Sequence, residues 1–299
     1  MSCQAGTRYS LERYARRFMF SDKCLMFEKK ARYNLSDLTK LNPYRFGRVP
    51  ETIIHGVYSG SPLNRDSVRI LSWNVAKNNY APNWCKDFRA IVEQYRPDKI
   101  FLQEARLRVG ETEIPELEKM GWAFAPNFID TSNHTYSGIL IATQANRTES
   151  KAVITKHYEP VSDTPKVSLF TKYLLPNRSN LLAVNTHLIN FVSLSKFQAQ
   201  LQEIELIIKE HQGAIILAGD FNTWNRSRWL ILSQMAARLK LTPATFTVRD
   251  TQKIKSFLFS PPLDYIFYRG FTQKLDSAKV IDNITTSDHN PLLVELCYL

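Results

Sequence analysis

Cysteine is scarce and scattered. The four residues Cys3, Cys24, Cys85 and Cys297 show no Cys-x-x-Cys spacing. That excludes a disulfide framework and a thiolate zinc site, and fits reduced thiols in a cytoplasmic protein. No apolar run approaches the ~20 residues of a membrane-spanning helix. The opening Met1-Ser-Cys-Gln-Ala-Gly-Thr-Arg8 has no apolar segment of the secretory kind, so no signal peptide is expected. Fixed-period repeats and low-complexity tracts are also missing. Acidic residues are in deficit: 28 Asp and Glu face 39 Lys and Arg, giving a net charge of +11. Such a balance calls for an anionic partner: nucleic acid, an anionic membrane surface or a small phosphate ester. No feature calls for an obligate protein partner.

The charge is uneven. Residues 1–67 hold 12 Lys and Arg against 6 Asp and Glu, more than half of the excess. Within this stretch Leu11, Tyr14, Ala15 and Phe18 follow helical spacing, with Arg13, Arg16 and Arg17 on the other side. A basic amphipathic helix of this kind can lie on an anionic membrane or pack on a neighbouring domain. Pro43, Pro50, Gly56 and Pro62 then punctuate the chain. The expectation is a basic, partly helical extension over 1–65 and one catalytic domain over 66–299.

In the second part strands and helices alternate. The patterning predicts strands at 68–73, 99–102, 137–142, 152–155, 166–175, 181–185, 214–218, 264–269 and 292–297. It predicts helices over 84–95, 194–208 and 227–239, with a loop-rich region at 105–136. Many strand–strand neighbours speak against a purely parallel sheet and for helices covering packed sheets.

Six apolar runs each border a polar residue: Ile70-Leu-Ser-Trp-Asn74, Ile100-Phe-Leu-Gln-Glu104, Leu181-Leu-Ala-Val-Asn-Thr-His187, Ile215-Ile-Leu-Ala-Gly-Asp220-Phe-Asn222, Leu263-Asp264-Tyr, and Ser287-Asp288-His289 ahead of Pro-Leu-Leu-Val. A polar group at the tip of a buried strand is costly unless it has a partner or a task. Six such tips imply one polar site built where strands end. Its groups are hard oxygen donors and two histidines, the equipment of metal-assisted phosphate-ester hydrolysis. In an extended segment Asp220 and Asn222 share a side while Phe221 faces away. His289 is a natural general base; adjacent Asp288 is badly placed to orient it, which leaves Asp264 for that task and Asp288 free for a metal. Glu104 and Asn74 are candidate oxygen ligands, and His187 can hold a phosphate oxygen or protonate a leaving group.

Taken in this order, Ser72-Trp-Asn74, Gln103-Glu104, Asn185-Thr-His187, Gly219-Asp-Phe-Asn222, Leu263-Asp264 and Ser287-Asp-His289 resemble the endonuclease/exonuclease/phosphatase superfamily over nearly all of 68–299. The resemblance implies a four-layer α/β sandwich with two packed mixed β-sheets flanked by helices. It implies Glu104 as the main ligand of Mg²⁺, or of Mn²⁺ in its place, helped by Asn74 and Asp288. It implies His289 with Asp264 as general base or phosphate contact, Asp220 on the water or the leaving group, and Asn222 and His187 on phosphoryl oxygens. Apurinic endonucleases of that superfamily often carry Asp where this chain has Ala76, and lack a Thr-His-Leu such as 186–188, which moves the chain toward the deoxyribonuclease, sphingomyelinase and phosphatase branches. The expected activity is metal-dependent hydrolysis of a P–O bond. A nucleic-acid substrate is favoured by the charge and by Arg106, Arg108, Arg226 and Arg228 near the motifs. A lipid or phosphoinositide substrate is the alternative, and a non-catalytic binding module the reading from another class.

Overall fold

The computed structural model describes residues 44–45, 49–56, 66–175 and 179–299. The helical pattern at residues 11–18 lies outside them. In chain order the strands are β1 (Tyr44–Arg45), β2 (Ile53–His55), β3 (Ser67–Asn74), β4 (Lys99–Arg108), β5 (Gly121–Asp130), β6 (Thr135–Thr143), β7 (Arg147–Tyr158), β8 (Pro165–Leu174), β9 (Asn180–His187), β10 (Ala214–Asp220), β11 (Thr242–Pro243), β12 (Asp264–Arg269), β13 (Phe271–Gln273), β14 (Lys279–Val280) and β15 (Leu292–Tyr298). The helices are α1 (Pro82–Tyr95), α2 (Leu194–Lys209), α3 (Arg226–Arg238) and the single turn α4 (Val248–Thr251).

Two mixed sheets form. One runs β1-β5-β6-β4-β3-β15-β13, with β2 on β5 and β14 on β15; the other runs β11-β12-β10-β9-β8-β7. Strand alternation explains the layering. Ile70, Phe101, Ile141, Leu169, Ala183, Ile216 and Ile266 point between the sheets into one shared core. Their neighbours Leu71, Trp73, Ile100 and Leu102 point outward and meet Trp84, Phe88 and Ile91 of α1. Leu182, Val184, Ile215 and Leu217 likewise meet Phe197, Leu201 and Ile204 of α2 and Leu232 and Met235 of α3. The result is the expected four-layer sandwich: helix, sheet, sheet, helix. Pro82 suits the first turn of α1, where its missing N–H costs nothing, and Arg96 closes that helix in a left-handed conformation just before Pro97.

Each sheet contains one parallel pair made by a strand–helix–strand crossover, β3-α1-β4 and β9-α2-β10. Antiparallel β15 lies beside β3, and antiparallel β12 beside β10. The parallel strands therefore end, and β12 and β15 begin, on one edge of the sandwich. That topology brings distant polar tips together.

The region expected to be loop-rich contains β5, and β4 continues to Arg108 rather than stopping at Leu102. Pro126 and Gly121 disguise β5. Proline is tolerated there because the β5–β6 register shifts between Pro126 and Phe128, a bulge.

Gly219 is required where β10 runs against β9. It sits at φ +146, and an added Cβ would lie 1.9 Å from the Thr186 carbonyl oxygen. Backbone cannot swing away as a side chain can. Gly219→Ala is therefore expected to destabilise the fold by about 1–3 kcal/mol, read as a fall in the thermal midpoint; an unchanged midpoint would show that β9 and β10 are not locked at this spacing.

Candidate active site

Each candidate side chain is placed by a local backbone device. Asn74 is the last residue of β3 and is 1% exposed. Glu104 lies inside β4 at a register shift between Leu102 and Ala105, with φ +50. This bulge re-aims its side chain, which is 26% exposed. His187 ends β9 and Asp220 ends β10, opposite each other in the parallel pair. Asp264 starts β12 directly across from Asp220. His289 lies in the loop before β15, where its carbonyl accepts Trp73 Nε1–H at 2.8 Å and its N–H donates to Ser287 Oγ at 3.2 Å. Ser287 in turn donates to the Asn74 carbonyl at 2.6 Å, so this loop is tied to the end of β3.

The side chains converge. Asn74 Nδ2 donates to Asp220 Oδ2 at 3.0 Å. His187 Nε2 stands 3.5 Å from Asp220 Oδ2 and 3.9 Å from Glu104 Oε1. His289 Nε2 is 3.9 Å from Asp220 Oδ2, while its Nδ1 meets Asp264 Oδ2 at 2.8 Å. Lys77 Nζ lies 3.4 Å from Glu104 Oε2.

The strand-alternation picture of Asp220 and Asn222 gives way to a turn. Asn222 has φ +48, its N–H donates to Asp220 Oδ1 at 3.0 Å, and its Nδ2 donates to the Leu188 carbonyl at 2.8 Å. An aspartate that bonds the N–H two residues on favours this Asx-type turn over continued extension. Phe221 is fully buried in the core under α2 and α3. Asp288, by contrast, directs its carboxylate to Lys255 Nζ at 3.1 Å and is half exposed.

The charges are polarised. Burial would raise the Glu104 carboxyl, but Lys77, Lys166, His187 and His289 outweigh it and hold it far below the usual carboxylate range. Burial, then the facing Asp264, push Asp220 up to about 7. Burial works against a charged His289, yet Asp264, Asp220 and Asp288 overcome it and raise the imidazole to about 10. Burial and then Lys166 hold His187 well below its usual range. At neutral pH the site thus contains an ionised Glu104, an imidazolium at 289, a neutral imidazole at 187 and an Asp220 near its midpoint.

The donor set suits a hard divalent cation: carboxylate and amide oxygens plus imidazole nitrogen, with no thiolate. Asp220, Asp264 and His289 each bring a ligand atom within 4.8 Å of the others, close enough to hold one ion. The short His289–Asp264 hydrogen bond already uses two of those atoms, so ionised Glu104 is the better anchor.

Several residues at the candidate site were not among the site residues expected from the sequence. Trp73 and Ser287 lie inside the motifs but act through hydrogen bonds to backbone. Lys166, on β8, comes from a stretch without any motif. Arg228 moves from surface to interior: it is 1% exposed, and its guanidinium donates to the carbonyls of Ile189, Asn222 and Val192 while lying against Phe197 and Trp224. It holds the Asn222 turn and offers nothing to a phosphate backbone.

Three comparisons bear on identity. The Endonuclease/Exonuclease/phosphatase family model matches residues 71–289. A UPF0294 protein of Vibrio parahaemolyticus is 32% identical over 242 residues, which cover 79% of this chain and 81% of that protein. Among solved structures, the catalytic domain of human nocturnin with a bound sulfate anion aligns at TM-score 0.58 and 18% identity over 79% of this chain and 96% of that one. D. rerio TDP2, complexed with a single-strand DNA product, aligns at 0.54 and 18% over 77% and 98%. At such identities the solved structures speak for the fold alone. The motifs, the sandwich and the family match agree: this chain belongs to the endonuclease/exonuclease/phosphatase family of phosphoesterases.

Proposed function

We propose that the protein is a Mg²⁺-dependent phosphoesterase that hydrolyses phosphodiesters of DNA or RNA by in-line attack of water. The observation that carries this reading is the meeting of Glu104, His187, Asp220 and His289 within 3.5–3.9 Å contacts at one edge of the sandwich. Glu104, with Asn74 beside it, would hold the cation, which supplies charge stabilisation at the phosphoryl and leaving oxygens. Asp220 takes the proton of the attacking water. The 289 imidazolium donates to a phosphoryl oxygen where negative charge develops, His187 flanks the same oxygens, and Asn222 holds the turn that carries Asp220.

Net charge of +11 and the exposed Arg108 and Arg226 support nucleic acid as substrate. The DNA product held by the TDP2 relative is consistent with it. One observation favours a lipid ester instead. Leu258 and Phe259 are 76% and 98% exposed in a loop closed by the Leu263 N–H to Lys255 carbonyl bond, just ahead of Asp264. Such a tip can enter a bilayer surface.

The test is hydrolysis of plasmid DNA, RNA, sphingomyelin and phosphoinositides with Mg²⁺ and with EDTA. Metal-dependent nicking of nucleic acid is expected. Lipid cleavage with inert DNA would transfer the assignment to the lipid reading, and binding without turnover would make the chain a binding module. The pH profile tests the role of Asp220. Its raised carboxyl is protonated below about 7, so kcat/KM should rise along an acidic limb toward that pH and then level off. A profile flat from the carboxylate range upward would remove Asp220 as the proton acceptor.

A further inference from the structure

Lys77 meets Glu104 twice, at the backbone and at the carboxylate. β3 ends at Asn74, and the chain turns sharply there. The Ala76 N–H donates to Asn74 Oδ1 at 3.1 Å, and Ala76 and Lys77 both take left-handed backbone, at φ +47 and +63. Two such residues in succession, neither of them glycine, are costly and persist only where the surroundings hold them. The holding contact is the Lys77 N–H, which donates to the Glu104 carbonyl at 2.8 Å. Glu104 is itself left-handed, at φ +50 in the β4 bulge. The two strained segments therefore hold each other.

The side chains continue that pairing. Lys77 Nζ stands 3.4 Å from Glu104 Oε2. The other oxygen, Oε1, is 3.9 Å from His187 Nε2, and the same nitrogen is 3.5 Å from Asp220 Oδ2. The two ends of one carboxylate thus face different ways: Oε2 toward a lysine, Oε1 toward the residues gathered for chemistry. The ammonium also lies 5.8 Å from the centre of the Phe128 ring, a further contact that keeps it on this side. Burial opposes charge on Glu104, and Lys77 is foremost among the cations that keep it ionised.

Resting on the reading of Glu104 as the anchor of the cation, we propose that Lys77 is a positioning residue that selects the metal: by occupying Oε2 it leaves Glu104 only Oε1 to offer, and so favours Mg²⁺ over Ca²⁺. The sizes of the two ions supply the reason. Mg²⁺ takes an octahedral shell at about 2.0–2.1 Å, built from one or two carboxylates and several waters, and a single carboxylate oxygen suits it. Ca²⁺ takes about six to eight oxygens at about 2.3–2.6 Å and accepts both oxygens of one carboxylate. With Oε2 held, Ca²⁺ loses a ligand and Mg²⁺ loses none. Partners that fix a ligating side chain from behind typically change metal affinity by roughly 10–100-fold.

The experiment is calorimetric titration of the full chain, stripped with EDTA and dialysed, with Mg²⁺ and with Ca²⁺. The proteins are the wild type, Lys77→Met, Lys77→Arg and Glu104→Gln. The wild type is expected to bind Mg²⁺ more tightly than Ca²⁺. In Lys77→Met the ratio of the two affinities should shift toward Ca²⁺ by about tenfold or more. Loss of the lysine charge acts on both ions alike and cancels in the ratio. A damaged fold would weaken both together, so the ratio reads the freed oxygen. Lys77→Arg, which keeps a charged donor for Oε2, should stay near the wild-type ratio. The rise in thermal midpoint that each ion produces gives the same comparison without calorimetry. A wild type that prefers Ca²⁺, an unchanged ratio in Lys77→Met, or the same shift in Lys77→Arg overturns the role of Lys77 and leaves Glu104 as the anchor. Glu104→Gln should lose most of its affinity for both ions. Wild-type affinity in that variant, or a wild type that binds neither ion, overturns the anchor reading itself and the selection with it.

Discussion

His289→Ala is expected to lower phosphate-ester turnover by roughly 10²–10⁴-fold while the protein stays folded. Two losses combine. The imidazolium proposed to meet the phosphoryl oxygen disappears. In addition, Asp220 and Asp264 stand opposite one another on adjacent strands, and His289 is the cation between them, 2.8 Å from Asp264 and 3.9 Å from Asp220. Without it Asp220 rises beyond about 7 and becomes a poorer proton acceptor at neutral pH, so the acidic limb of the profile should also move upward. Folding should survive because the loop is anchored through the backbone of residue 289, by Trp73 and Ser287, and not through the ring. Asp264→Asn separates the two effects: it keeps the side-chain shape but removes the charge that holds the imidazole up to about 10, so His289 loses its proton at lower pH and an alkaline limb moves toward neutrality. Steady-state kinetics with Mg²⁺ and a thermal melt of each variant check this. Turnover of His289→Ala within about threefold of wild type would take His289 out of the chemistry.

The strand tips were legible in the sequence because buried strands declare themselves as apolar runs, and a polar residue after such a run needs a reason. The element types around Asn74, His187, Asp220 and Asp264 follow from that rule alone. Glu104 was legible as a tip although it is not one. The chain bulges there and returns to pairing as far as Arg108, and a bulge leaves no mark on apolar patterning. β5 was hidden for a related reason: Gly121 and Pro126 read as part of a loop-rich region, but Pro126 sits at the bulge that lets proline lie inside a sheet. Lys166 was beyond reach, since its charge acts on Glu104 and His187 from another strand, a property of packing rather than of spacing. Arg228 shows the converse hazard. Next to a catalytic motif it looked like a phosphate contact, but a guanidinium can also be consumed by backbone carbonyls, and three of them consume it.

Lys99→Met is expected to raise the thermal midpoint, although it deletes a charge from a basic enzyme. Lys99 opens β4, at the end remote from Glu104, and is fully buried. Its Nζ has no hydrogen-bond partner and lies 3.0 Å from the centre of the Tyr173 ring. Burial disfavours the charged form and lowers the ammonium well below its usual range, with Asp98 opposing only in part. The sign of the pH effect follows. A lysine whose folded pKa lies below its unfolded value of about 10.4 binds its proton more readily in the unfolded chain. Across that interval the unfolded state is the more protonated, so stability rises with pH and the penalty is greatest on the acidic side. Methionine keeps the unbranched stem, packs against the aromatic ring and has no proton to lose. Replacing buried charge by a well-packed apolar side chain of similar volume stabilises by about 1–4 kcal/mol, and each kcal/mol is roughly 2–4 °C in a domain of this size. The gain should be largest at neutral pH and below and should shrink as pH approaches 10, and catalysis should be untouched because Lys99 lies outside the site. Calorimetric melts of both proteins from pH 6 to 10 measure this; a lower midpoint for Lys99→Met throughout that range would mean that the contact with Tyr173 outweighs the cost of burying the amine.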